Sequence, residues 1–197
     1  MVKVPTRDRL IEAASNRFYR DGFRNVGIDQ ILTDVGISKT AFYKHFESKD
    51  DLLLAALDEK GDWLYSMCQK VVWERGGPTP EGQLRSIFDL VDMFLDDEKF
   101  HGCFFVRAAM EFPLPQEPVF QAAARNKMTV EVFITQLARN CGVEQPEDLS
   151  RKLCLIIEGA YVTRHVTQNR DTKRMTRELA DMIIAEALDS RSAEPTA

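Results

Sequence analysis

The chain has 197 residues, 44% of them hydrophobic and 29% charged, which is enough to build a packed core and too apolar for an intrinsically disordered segment. Its net charge of −5 argues against a nucleic-acid partner until it is divided: residues 1–50 hold nine Lys and Arg against seven Asp and Glu (+2), and the remainder holds seventeen against twenty-four (−7). No apolar run approaches the ~20 residues of a membrane span, the start lacks the long apolar core of a secretory signal, and the four cysteines (Cys68, Cys103, Cys141, Cys154) show neither a CxxC pair nor metal-ligand spacing, so reduced thiols, no metal, no cofactor, no membrane partner and a cytoplasmic location are expected.

Thr6 is the expected N-cap of a first helix reaching residue 19, with Leu10, Ala13, Ala14 and Phe18 as its buried stripe and Asp21-Gly22 as its stop. Lys3, Arg7 and Arg9 at its free end suit DNA phosphates or a minor groove, or else form a solvated terminus. Phe23 and Val26 cover the gap before residues 27–46, which read as two short helices joined by a tight turn. Gly27 is an acceptable N-cap, and Ile28, Ile31, Leu32 and Val35 recur at helical spacing. Gly36 ends that helix because glycine enters the left-handed conformation cheaply. Ser38 caps the second helix, expected to run through Phe46. Phe42 and Phe46 are four apart and face inward together, which leaves Lys39, Thr40, Tyr43 and Lys44 outward. A short helix that buries two Phe and displays that set is built to present a surface. The unit is a helix-turn-helix.

Ser48 caps a long helix over residues 49–75, whose first turn (Leu52, Leu53, Ala56) packs on the reading unit and whose later part (Leu57, Trp63, Leu64, Met67, Val71) belongs to a second core. A domain boundary is therefore expected inside this helix, with residues 1–57 as one domain and 58–190 as another. The cluster Gly76-Gly77-Pro78-Thr79-Pro80 breaks the chain. Helices are then predicted over 81–97, 103–111, 119–140, 146–168 and 172–189, with a turn at 99–102, a proline-rich break at 112–118 and a disordered tail at 191–197. No segment alternates like a strand. The fold class is all-α, with about nine helices.

Gly36-Ile37-Ser38, Phe42-Tyr43-x-His45-Phe46 and Ser48-Lys49-x-x-Leu52 resemble, in order and spacing, the signature of the TetR family of transcriptional regulators over residues 6–57. Gly27 stands where that family commonly has a Thr cap, and Thr40 replaces a frequent Gly. His101-Gly102-Cys103-Phe104 and Ala108-x-x-Glu111-Phe112-Pro113 resemble the LmrA/YxaF- and QacR-like branch. The resemblance implies a three-helix DNA-binding domain joined by a long helix to a helical ligand-binding and dimerisation domain. It also implies a repressor that binds double-stranded operator DNA as a homodimer and is released by a small effector.

A recognition helix in the major groove reads base edges with its first residues and phosphates with its flanks. Ser38, Lys39, Thr40 and Ala41 open that helix; Lys39 can donate to guanine, and Thr40 and Ala41 are small enough to approach a thymine methyl. By resemblance Tyr43, His45 and Lys49 hold the DNA backbone, with Lys44 able to do either, while His45 is alternatively a packing residue. Trp63, Met67, Phe88, Phe104, Phe105, Met110, Phe133 and Tyr161 can line a cavity for a flat or greasy molecule or form ordinary core. Glu111 and Glu158 can meet a cationic ligand, or else are solvated or act as caps. The helices at 149–168 and 173–188 are the expected dimer surface, with Gly159 and Ala160 permitting close approach and Ile156, Thr163, Met182 and Ile183 filling the seam; the alternative is that these stripes only close the monomer core. His45, His101 and His165 are scattered and no nucleophile, metal or phosphate-loop motif occurs, so the chain is not expected to be an enzyme. A protein-interaction module with a helix-turn-helix-like head is the rival reading.

Overall fold

Capping and breaking residues set the order of helices in the computed structural model, which describes residues 4–190. Lys3 and the tail at 191–197 lie outside the described residues. The elements are α1 (Thr6–Asp21), α2 (Ile28–Val35), α3 (Lys39–Phe42), α4 (Lys49–Arg75), α5 (Pro80–Asp96), α6 (Phe104–Glu111), α7 (Pro118–Asn140), α8 (Pro146–Thr167) and α9 (Thr172–Asp189). No strand occurs among the described residues. The expected all-α class holds.

Three local expectations are corrected. Pro5, extended at φ −55° and ψ 147°, is the N-cap of α1, and Thr6 is already helical. A proline there gives up an amide that a first turn leaves unpaired anyway. Ile11 is buried in α1 where Ala13 was expected, since Ala13 is only half-buried. The second helix of the reading unit ends at Phe42, short of Phe46. Past it, the Phe42 carbonyl accepts from the amides of His45 (2.8 Å) and Phe46 (3.1 Å), so the segment continues as hydrogen-bonded turns that still bring Phe46 inward.

The chain forms two compact units. One contains the residues up to Trp63 together with Phe104–Lys127, and the other contains Leu64–Cys103 together with the residues from Met128 onward. The division falls inside α4 at Trp63, later than residue 57, and α6 joins the first unit. Leu57 is fully buried with Leu52, Leu53 and Ala56. Phe104 sets its ring edge-on to Phe23, with centroids 5.0 Å apart, which ties α6 to the loop after α1. In the second unit Leu84, Phe88 and Val91 of α5, Ile134 of α7, Leu153 and Ile157 of α8 and Ile184 of α9 share one buried core. Arg177 of α9 joins α5 through Asp89 (2.7 Å) and Asp92 (2.6 Å), and Arg85 of α5 pairs with Asp181 of α9. The cysteines are free, and burial pushes the Cys68 thiol up to about 11, which makes it inert.

Candidate nucleic-acid interface

The reading unit is built from α2, a glycine turn and α3. Gly27 caps α2 in an extended conformation, and its amide donates to Gln30 Oε1 at 2.8 Å. At the other end Gly36 takes φ 73° and ψ 42°, and the amides of Gly36 (2.8 Å) and Ile37 (3.1 Å) both donate to the Leu32 carbonyl. This is the left-handed helix stop that the sequence foretells. Ser38 is extended, and its Oγ accepts from the Ala41 amide at 3.2 Å, so the cap on α3 is present. Phe42 and Phe46 are buried with ring centroids 5.9 Å apart, anchoring the short helix from below.

That anchoring decides what faces out. Lys39, Thr40, Tyr43, Lys44 and His45 are exposed, Ala41 is half-buried, and Tyr43 keeps 58% of its surface while resting edge-on against Phe42. Lys39 is not a bare cation: its Nζ lies 2.9 Å from Asp29 Oδ1 and 3.1 Å from Oδ2, and that carboxylate raises the lysine above its ordinary pKa. Lys49 is half-buried, donates to the Arg24 carbonyl at 3.2 Å and lies 5.9 Å from the centre of the Phe18 ring. Desolvation lowers its pKa despite the attraction of Asp50.

Of the two other cations expected near DNA, Arg9 donates to the Val35 carbonyl at the end of α2, and Arg7 sits over the Phe46 ring at 5.2 Å. Arg17 of α1 grips Asp34 of α2 through Nε (2.6 Å) and Nη2 (2.8 Å). The head is further fixed by α6. Glu111 accepts from the amides of Phe23 (3.1 Å) and Arg24 (2.8 Å), Arg24 Nε donates back to the Glu111 carbonyl at 2.6 Å, and Arg107 donates to the Tyr19 carbonyl. Glu111 thus serves as a cap. No local pattern signals these bonds, because their partners stand 87 or 88 residues apart.

The aromatic set named from sequence divides between the units. In the first, Phe104 and Phe105 are buried, Trp63 is partly exposed beneath Lys60 Nζ (3.8 Å from the ring centre), and Met110 is 75% exposed. In the second, Phe88 is core, Met67 and Phe133 pack with Phe94 against Cys68, Val71 and Leu90, and Tyr161 is edge-on to Phe94 at 6.1 Å. Among the dimer residues named from sequence, Gly159 and Met182 are exposed, Ile156, Thr163 and Ile183 are half-buried, and Ala160 is buried in the core of its own unit. On α8 the open apolar stripe lies one position over, at Leu155 (73% exposed), Val162 and Val166, while on α9 the expected Met182 is open together with Met175 and Leu179. Its helical spacing (seven and four on α8, four and three on α9) was visible in the sequence, but which of two adjacent stripes faced the core was not.

Residues 10–56 match the family described as bacterial regulatory proteins, tetR family. The HTH-type transcriptional activator FasR of Mycolicibacterium smegmatis is 42% identical over 142 residues, 70% of this chain and 61% of FasR. The HTH-type transcriptional regulator LmrA of Bacillus subtilis is 23% identical over 167 residues, 83% of this chain and 88% of LmrA. Four further curated regulators, from Bacillus subtilis and Haemophilus influenzae, are spanned over no more than 50% of their own length. Among solved structures, the TetR-family regulator SCO4454 of Streptomyces coelicolor superposes with a TM-score of 0.87 at 24% identity, covering 93% of this chain and 96% of that one, a likeness of fold.

Proposed function

This chain belongs to the TetR family of DNA-binding transcriptional regulators, and on that premise we propose that it is a repressor that binds a pseudo-palindromic operator as a homodimer and is released by a small hydrophobic or aromatic effector. The observation that carries the reading is the capped, Phe-anchored α3, which leaves Lys39, Thr40, Tyr43, Lys44 and His45 free of the core. The first residues of such a helix, Lys39 among them, meet base edges, while Tyr43, His45 and Lys49 donate to phosphates on either side. One reading unit offers too few contacts to select a site in a genome. The open stripe on α8 and α9 supports pairing of two copies, which sets two half-sites about one helical turn (~34–36 Å) or more apart.

The effector reading rests on Met67, Phe133 and Tyr161, which are half-buried in the second unit around Phe94. Since α4 is one unbroken helix contributing to both units, an effector that binds only one of its orientations lowers DNA affinity by that difference in binding energy.

The test is binding of the purified protein to DNA from upstream of its own gene, across a salt series, beside Tyr43→Ala. Sequence-selective binding that weakens steeply with salt and falls in the variant supports the reading. Selective binding in neither, by a folded dimer, defeats it. FasR is named an activator, so a reporter read with and without the protein decides the sign: repression is expected, and activation would overturn that part alone.

A further inference from the structure

We infer that Asp29, a residue of α2 outside the recognition helix, is a specificity-determining residue of the DNA interface, acting with Lys39 as an adjacent donor and acceptor that reads a guanine beside a cytosine amino group. The inference rests on the proposed DNA contact of Lys39. Lys39 is the first residue of α3, the end of a recognition helix that meets base edges. Asp29 Oδ1 and Oδ2 lie 2.9 and 3.1 Å from its Nζ, so the carboxylate stands beside the ammonium that would meet DNA. Both side chains are open to solvent, 62% for Lys39 and 73% for Asp29. An exposed pair of this kind adds little to stability. The pair nonetheless joins the first turn of α2 to the first residue of α3.

A carboxylate there has consequences that a lone lysine lacks. It repels phosphate, so Lys39 is turned from the DNA backbone toward the groove floor, where its ammonium donates to guanine O6 or N7. The remaining lone pairs of Asp29 accept from an exposed amino group, and cytosine N4 is the partner that suits Asp. The pair therefore favours a half-site with guanine and cytosine at neighbouring positions, on the same or opposite strands. Gln30, next along α2, is engaged with the Gly27 amide and does not compete for Lys39.

The experiment is selection of operators from a randomised half-site by the wild-type dimer, Asp29→Asn and Lys39→Met, with salt slopes on the chosen sites. Asp29→Asn is nearly isosteric, and an amide pairs bidentately with adenine. Its preferred base at one position should change from cytosine to adenine, with wild-type discrimination there falling roughly five- to 150-fold, the range for one base contact. The guanine preference should be lost only in Lys39→Met. Tighter binding of Asp29→Asn to every sequence, with the base profile unchanged, would reduce Asp29 to a surface charge and overturn the inference. If the wild type selects no sequence at all, the DNA-contact reading itself fails. A matched thermal midpoint for the variants confirms that the head is folded.

Discussion

Asp21 shows how single side chains tune the head. Arg20 donates to both of its oxygens at 2.7 Å, Arg17 adds a bond at 3.3 Å, and together they hold the carboxyl down to about 2 from an ordinary 3.8. Asp34 is lowered in the same direction by Arg17. A carboxyl whose folded pKa lies below its unfolded value contributes stability above the unfolded value and loses it as pH falls through the folded one. The Asp21 contribution, made within α1, should therefore be at full strength above about pH 4 and lost toward pH 2, and the Arg17–Asp34 link from α1 to α2 weakens in the same direction as pH falls. Chemical-shift titration of Asp21 should give a midpoint near 2, and Arg20→Met should return it toward 3.8, with Arg17→Met having the smaller effect. These charges are exposed, so the effect on the global midpoint is small. Gly36 and Ser38 act at the same scale, and both were legible in the sequence because their roles depend only on neighbours within six residues.

At the scale of elements, α6 is held to the reading head by more than packing. The Glu111 carboxylate caps the loop at Phe23 and Arg24, Arg24 returns a bond and lays its guanidinium over Phe112 at 4.5 Å, and Arg107 binds the end of α1. Gly22 takes φ 90° just before this loop, and a Cβ there would stand 3.3 Å from Glu111 Oε1, so glycine admits the carboxylate. Hydrogen bonds to a charged acceptor are worth about 1.5–3 kcal/mol when well shielded; with one of these two exposed, Glu111→Ala should cost about 1–2 kcal/mol. Hydrogen exchange at the Phe23 and Arg24 amides should speed up, while protection in α8 and α9 stays unchanged. Unchanged exchange at those two amides would show that the capping is idle in solution. The sequence identified Glu111 as a residue to explain and offered capping as one reading, but the amides it caps are 87 and 88 positions away in the chain.

At the scale of the whole molecule, α8 and α9 carry a stripe of exposed apolar side chains, Leu155, Val162 and Val166 with Met175, Leu179 and Met182. Exposed patches of that kind mark interaction surfaces. Val162→Glu combined with Met182→Glu places charges on the stripe and leaves the buried Leu153, Ile157 and Ile184 untouched. Sedimentation should show a shift from dimer to monomer with helicity retained, and operator affinity should fall with it because one half-site no longer recruits the other. A dimer that survives both charges would move the interface elsewhere.

What the sequence determined by itself was everything governed by spacing along the chain: among the described residues, nine helices with ends within four residues of those expected, the glycine turn, the Ser38 cap, the two inward Phe and the outward set on α3. Helical periodicity and capping are local, with bonds that close within four or five residues, so a single sequence carries them in full. Tertiary structure alone decided which of two neighbouring stripes on α8 turned to solvent, that Ala160 went to the core, that α6 joined the reading head and that Asp29 met Lys39. Each depends on the angle at which separate helices pack, which is set by the shapes of residues far apart in the chain. A shift of one helical position, about 100° around the axis, is enough to exchange core for surface.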